Sequence, residues 1–425
     1  MPRRSKLLTA LLCYSLQFLF LSTRSFCGGE KSINKLQSIF NVHFTELFTS
    51  QKRIKCFCIS DLHSDSEKNQ LWVQGNCVRS IDDEGVFTVI ILPGDVGSEI
   101  DSIRRTFELL TSCYDAVIFV PGNHEAWRCG IAAGGSATIP DERADERLAP
   151  DSVVKLSKIL ELAKKCGVFV GPLRVQTVNK SVGSKNHPEL TSNGLGQTDT
   201  PRADHSATSS ELNDLRLTPD SSSVTIFPLY SWYHSSWDSE PEINHPDFLD
   251  VEEAIPFKRK WGDFTLCSWP VELISQPNFC SIDGDSTVLA EFFAGVNEAF
   301  IHPVRTTLIP GSCVRNEVTS TTTALHCNKD HSYDNNDQVE SRSSLVIGLN
   351  DTVISFSHFL PRQELCPEKR FLLEPFLSKV IGSIFLEKQI RRIKPDLHLF
   401  GHTHIPIDIE LDGIRYVQWP KGYAR

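Results

Sequence analysis

The chain has 425 residues, 40% of them hydrophobic and 23% charged, with 43 Lys and Arg against 53 Asp and Glu for a formal charge of −10. This is an ordinary globular composition, long enough for one large domain or two smaller ones. An acidic chain without a Lys/Arg stripe argues against general nucleic-acid binding, which rests on neutralising phosphates.

Residues 1–27 begin with Arg3, Arg4 and Lys6, run apolar from Leu7 to Leu21, and place Ser25 and Cys27 at −3 and −1 of a cut before Gly28. This is a signal-peptide pattern, and the apolar run is too short for a comfortable membrane span. It predicts entry into the secretory pathway or another signal-dependent organelle, with no integral span in the mature form. An uncleaved membrane anchor is the alternative. Residues 28–53 read as an N-terminal extension. The 13 cysteines include no C-x-x-C pair and show no disulfide framework.

From residue 54 onwards strands alternate with helices. The runs 54–60, 87–93, 116–120, 352–357 and 396–400 are short, β-branched and aromatic, and predict buried strands. Helices are predicted at 99–113, with Ser98 as N-cap, and at 151–166, 287–301 and 378–393. Asp65, Glu67 and Asn69 read as part of a solvated loop. Further strands are predicted near 168–178, and strands 406–411 and 414–419 meet at Asp412-Gly413, a hairpin signal. The stretches 179–223 and 312–343 are polar and predict flexible insertions. Residues 230–286, rich in Pro, Trp and acids, predict a cap over one sheet face.

Each of the five strands ends in side chains of metal-ligand type: Asp61 and His63, Asp95, Asn123 and His124, His358, and His402 and His404. In open α/β sheets, ligands bind beyond the carboxyl ends of the strands, so five such ends point to one site. Asp61, His63 and His404 can form one metal set, and Asn123, His358 and His402 a second. Asp95 can bridge them, since a carboxylate has two oxygens. Two metals roughly 3.5–4 Å apart form the clamp used for in-line displacement at phosphorus. Mixed nitrogen and oxygen donors suit Mn, Zn, Fe or Ni better than Mg or Ca. Arg362, four residues after His358, and His234, in the aromatic run 227–237, are candidates for contacting a substrate phosphate.

These blocks resemble the signature of the calcineurin-like metallophosphoesterases, which runs D-x-H, GD, GNH-E/D, H and GH-x-H. The resemblance extends over roughly residues 54–425 with two interruptions. It implies an α/β fold, a four-layer α/β/β/α sandwich of mixed sheets carrying the two polar insertions, with a dimetal centre at the sheet edge. It also implies that His124 is the catalytic histidine and not a ligand. Many members carry Asp three residues after the bridging Asp to orient that histidine; here the position is Ser98, with Glu99 beside it.

The function so implied is a phosphoric ester hydrolase with two divalent metal ions. A metal-bridging hydroxide attacks phosphorus in line, and His124 protonates the leaving alkoxide or stabilises its charge. The expected partner is a small phosphorylated substrate, a monoester or a diester. The alternative is the same fold as a catalytically silent binding module. The presence of all seven candidate ligands and of His124 favours the enzyme.

Overall fold

The computed structural model describes residues 32–77, 85–128, 149–178, 223–243, 261–276, 287–301, 351–372 and 375–423. The expected leader at 1–27, the insertion at 312–343, nearly all of that at 179–223, and much of the expected cap lie outside these residues.

Two β-sheets form the centre. The first is wholly parallel, in the order β2 (Arg53–Cys58), β3 (Val86–Pro93), β4 (Ala116–Val120), β5 (Val168–Phe169). Its middle strands, Val-Phe-Thr-Val-Ile-Ile-Leu-Pro and Ala-Val-Ile-Phe-Val, are covered on both faces, which is why they are apolar but for Thr88 instead of alternating. The second sheet is mixed and seven-stranded. Its order is β1 (Thr45–Thr49), β6 (Leu173–Thr177), β7 (Ser223–Leu229), β8 (Thr352–Ser357), β9 (Leu397–Phe400), β11 (Ile414–Gln418), β10 (Ile407–Leu411). The hairpin at Asp412-Gly413 closes β10 on β11, with both turn residues at positive φ (51° and 78°) as its tight turn demands. Strand β1 falls where only an extension was expected and pairs parallel to β6.

Helices coat both outer faces. On the parallel sheet lie α1 (Glu67–Asn76), α2 (Ile100–Cys113) and, after the single turn α3 (Asn123–Ala126), α4 (Ser152–Lys165). Helix α2 buries Ile103, Phe107 and Leu110, one stripe at helical spacing. Two turns, α5 (Gly262–Leu266) and α6 (Val271–Ile274), precede α7 (Thr287–Ile301) and α8 (Ile384–Ile393), which pack together on the mixed sheet. With the sheets face to face through β4 and β7, the layers are α/β/β/α, as the motif blocks implied.

Three local expectations are corrected. Residues 67–76 are helix α1, not loop; their apolar residues make no stripe, so periodicity hid the helix. Ser98 does not cap α2 with its side chain: the Asp65 carboxylate accepts from the Ser98 and Glu99 N–H groups at 2.7 and 2.9 Å and does that work instead. The single helix at 378–393 is two pieces, a 3-10 turn Pro375–Val380 and then α8, capped by Ser383. Between them the chain at Gly382 is extended and bridges to Leu360.

The sheets join at the site. Ser60, just beyond β2, bridges to Pro420, just beyond β11, and its N–H donates to the Trp419 carbonyl at 3.1 Å. The strand ends that carry Asp61 and Gly401 therefore open onto one seam.

Candidate metal centre

All seven expected ligands meet at that seam. Asp61, His63 and His404 form one group; Asp95, His358 and His402 form another. In the first, the Asp61 Oδ1 lies 3.4 Å from the His404 Nε2, which lies 3.1 Å from the His63 Nε2. In the second, the His358 Nε2 lies 3.0 Å from the Asn123 Oδ1, 3.2 Å from the His402 Nδ1 and 3.4 Å from the Asp95 Oδ2. The Asp95 Oδ2 is also 4.0 Å from the His63 Nε2, so it faces both groups. The bridge is narrower than two oxygens would make it: Oδ1 is occupied by the His124 backbone N–H at 3.0 Å, and only Oδ2 is shared.

The backbone is bent to achieve this. Asp61, His63, Asp95, His402 and His404 all have positive φ, between 43° and 78°. Non-glycine residues rarely sit there, and each instance costs about 1–3 kcal/mol. Glycine lets the loops close in. A β-carbon at Gly122 would collide with the Asp95 carboxylate and with the His358 ring. Glu125, fully buried, accepts from the N–H groups of Asp95, Val96, Gly97 and Gly122 at 2.7–3.2 Å, locking the β3 and β4 loops together.

The hydrogen bonds fix the imidazole tautomers. His358 Nδ1–H donates to the Pro93 carbonyl at 2.9 Å and His402 Nε2–H to the Val380 carbonyl at 2.9 Å. The facing nitrogens, His358 Nε2 and His402 Nδ1, are then bare lone pairs. Asn123 Nδ2 donates to the Asp263 Oδ1 at 2.9 Å, which turns the amide oxygen towards the same point. Two bare nitrogens, an amide oxygen and a carboxyl oxygen thus converge on one point. A cation satisfies such a set, and outer partners of this kind are what orient metal-binding histidines. The buried His63 Nδ1 has no hydrogen-bond partner.

Electrostatics agree. Burial pushes His63 and His402 down to about 3 and also lowers His358, so these imidazoles are neutral and able to ligate at neutral pH. Burial, with Glu125 and Asp61 nearby, pushes the Asp95 carboxyl well above the usual range. Burial would also raise Asp61, but its hydrogen bond to His404 and the surrounding imidazoles hold it below that range. Hard and borderline donors on a buried, partly anionic framework fit divalent ions of the Mn, Zn, Fe or Ni kind.

His124 stands beside this set. Its Nε2 is 3.8 Å from the Asp95 Oδ2, and its ring lies against Trp127 with centroids 3.6 Å apart. The Tyr423 hydroxyl lies 3.1 Å from the His124 Nε2. Asp263 was not legible as part of the site. Its buried carboxylate accepts from Asn123 and from both the Trp127 and Trp261 indoles, at 2.6–2.9 Å, so it positions a ligand and the platform under His124 together. Asn69, expected in solvent, is buried and donates to the Leu62 and Gly422 carbonyls.

The two expected phosphate contacts are engaged elsewhere. His234 is fully buried; Ile384 N–H donates to its Nε2 at 3.1 Å, and its Nδ1 meets the Ser236 hydroxyl at 2.8 Å. It ties the aromatic run to the start of α8. Arg362 is paired with Glu364 and Asp412 at 2.5 Å, with Glu387 at 3.6 Å. Its fork joins β8's following loop to the β10–β11 hairpin.

Fold and site together define an α/β/β/α scaffold with candidate metal-ligand groups at the seam between its sheets. Residues 54–253 match the family model of the calcineurin-like phosphoesterases. A curated relative, the acyl-carrier-protein phosphodiesterase PptH of Mycobacterium tuberculosis, is 38% identical over 71 residues. The match covers 17% of this chain and a fifth (20%) of that protein. The crystal structure of the phosphopantetheinyl hydrolase PptH from the same organism aligns over 88% of this chain and 91% of that one, at 17% identity and a TM-score of 0.46.

Proposed function

We propose that the chain is a divalent-metal-dependent phosphoric ester hydrolase with a dinuclear centre. Asp61, His63 and His404 would hold one cation, Asn123, His358 and His402 the other, and Asp95 would serve both. The observation that carries this is the convergence of lone pairs from His358, His402, Asn123 and Asp95, each fixed by a hydrogen bond on its far side. When bound, such a metal pair polarises phosphoryl oxygens and supplies a nucleophile at neutral pH. The protein's own residues do the rest. The Pro93 and Val380 carbonyls keep two histidines in the ligating tautomer. Glu125 and Asp263 hold the loops and the Asn123 amide. His124 presents Nε2 on the leaving-group side and supplies a hydrogen bond or proton there, a contribution typically worth ~10²–10⁴-fold.

The substrate in this reading is a small phosphorylated molecule. The diesterase activity in PptH's name makes a diester the first probe. The basic and apolar segment at 1–27 directs the chain to a signal-dependent compartment, which N-terminal sequencing of the mature protein would test.

The full-length chain, stripped with a chelator and reloaded with Mn, is assayed on aryl phosphate mono- and diesters beside Asp95→Asn and His124→Ala. Turnover is expected to require Mn and to vanish in Asp95→Asn. In His124→Ala, Mn should stay bound while the rate falls ~10²–10⁴-fold. A chain that binds no Mn would sink this reading.

A further inference from the structure

His234 stands in none of the motif blocks, yet its partners lie on the segment that orients one of the candidate ligands. His402 Nε2–H donates to the Val380 carbonyl at 2.9 Å, which leaves His402 Nδ1 as the bare nitrogen facing His358. The place of that carbonyl therefore decides which nitrogen of His402 can ligate. Val380 ends the 3-10 turn Pro375–Val380, a kind of helix whose own hydrogen-bond geometry is poor. The run 234–238 holds the chain on either side of it. After Val380, the His234 backbone N–H donates to the Gly382 carbonyl at 3.1 Å. The His234 ring carries its proton on Nδ1, towards the Ser236 hydroxyl, and Nε2 accepts from the Ile384 N–H at 3.1 Å. Before Val380, the Asp238 carboxylate accepts from the Ser378 hydroxyl at 2.8 Å and pairs with Lys369 at 2.7 Å. Between the two, Trp237 packs so closely on Gly382 that a β-carbon there would meet its indole ring. The same segment is bonded to Leu360, two residues beyond His358, by Leu360 N–H to the Ile381 carbonyl and Ser383 N–H to the Leu360 carbonyl. His234 and the Asp238 side chain are both closed off from solvent.

Resting on the dinuclear reading, we propose that His234 is a positioning residue for His402: with Asp238 it fixes the Val380 carbonyl, which keeps the His402 proton on Nε2 and leaves Nδ1 able to bind a divalent cation. Without the Ile384 bond the chain after Val380 shifts, and the His402 ring divides between two tautomers of which one ligates. The effect falls on the cation assigned to Asn123, His358 and His402. The set Asp61, His63 and His404 takes no bond from this segment among those described.

The test compares His234→Asn with His234→Gln in the full-length chain. Asparagine keeps a polar atom for Ser236 and cannot reach the Ile384 N–H; glutamine keeps an acceptor at the place of Nε2. Isothermal titration with Mn reads affinity. Proton–nitrogen correlation spectra of the chelated chain, with nitrogen-labelled histidine and the His402 signals assigned by their loss in His402→Gln, read the tautomer. His234→Asn is expected to weaken one of the two Mn steps about 10–100-fold, leave the other unchanged, and move the His402 signals from the Nε2–H pattern towards Nδ1–H. His234→Gln should stay within about threefold of the wild-type affinity and keep the Nε2–H pattern. Ser378→Ala, which loosens the other side of Val380, should weaken the same step. Leu110→Ala, which opens a cavity under α2, is the control for lost stability alone and should leave both steps unchanged. Equal loss at both steps, as large a loss in His234→Gln as in His234→Asn, the same loss in Leu110→Ala, or a His402 ring that stays in the Nε2–H tautomer throughout would each overturn the proposal and leave the hydrolase reading intact. Should His234→Asn not fold, an unchanged Mn titration in Ser378→Ala overturns it. A wild-type chain that binds no Mn overturns both.

Discussion

At the residue scale, Asp95 carries the sharpest conflict between stability and function. It is buried beside Asp61 and Glu125, and five of the seven candidate ligands, itself included, hold strained backbone. A buried carboxyl group without a cation is costly, whether it stays ionised or is driven to hold a proton, and an isosteric neutral group relieves that cost. In chelator, Asp95→Asn is therefore expected to melt no lower than the wild-type chain, by a margin of about 1 kcal/mol or more in its favour. On adding Mn the order should reverse, because only the wild type gains. Differential scanning fluorimetry with and without Mn reads both halves. A second buried group, a histidine, gives a pH prediction away from the metals. His398 bonds the Ser355 and Ser357 hydroxyls at 2.8 and 3.1 Å, and burial pushes it down to about 3. Its folded value lies below the unfolded one of roughly 6.5. Its stabilising contribution is thus present above that value and lost as pH falls towards 3, by about 1.4 kcal/mol per pH unit. In chelator, and in the Asp95→Asn background so that the metal ligands add less to the slope, His398→Gln should show a melting temperature that falls less steeply than its parent's between about pH 6.5 and 4.

At the element scale, the site is a set of strand ends, and that is why so much of it was readable. Each of β2, β3, β4, β8 and β9 is an apolar run that stops at an Asp, Asn or His, and both the run and its stop lie within a few adjacent residues. The elements that support the site announce themselves less. Helix α1 lacks an apolar stripe, and Asp65 caps α2 from 34 residues before Glu99, so neither capping nor periodicity shows locally. His234 and Arg362 have the right chemistry, but their partners at Ile384, Ser236, Glu364 and Asp412 come together only through tertiary folding. Asp263 is the strongest example. It sits on the short turn α5, 140 residues from Asn123, and nothing in its neighbourhood marks it. Asp263→Asn replaces an acceptor oxygen with a donor opposite an indole or amide N–H. It is expected to weaken Mn binding about 10–100-fold, the usual cost of losing an outer partner, with a fall in kcat. Isothermal titration with Mn measures the first, and an unchanged affinity would remove Asp263 from the site.

At the scale of the whole molecule, the two sheets share a seam and the ligands are divided across it. Asp61, His63, Asp95 and Asn123 come from the parallel sheet; His358, His402 and His404 come from the mixed one. A cation bound there staples one sheet to the other. At one hundred times the dissociation constant, each such ion adds about 2.7 kcal/mol. Mn is accordingly expected to raise the melting temperature by several degrees over the chelated chain, and to slow proteolysis at the seam. No helix among the described residues is long and apolar enough to cross a membrane. The backbone hydrogen bonds of residues 419–422 with the Asp61 loop have a consequence for biosynthesis. The ligand pair His63 and His404 is separated by 341 residues, and the loop bearing Asp61 is pinned by Lys421 and Gly422. A nascent chain on the ribosome holds the parallel sheet long before it holds a complete ligand set. Loading with metal must therefore wait until residues 402–423 have left the exit tunnel, and a nascent chain stalled before that point presents its early candidate ligands, Asp61, His63, Asp95 and Asn123, to the cell as an unfinished, exposed edge.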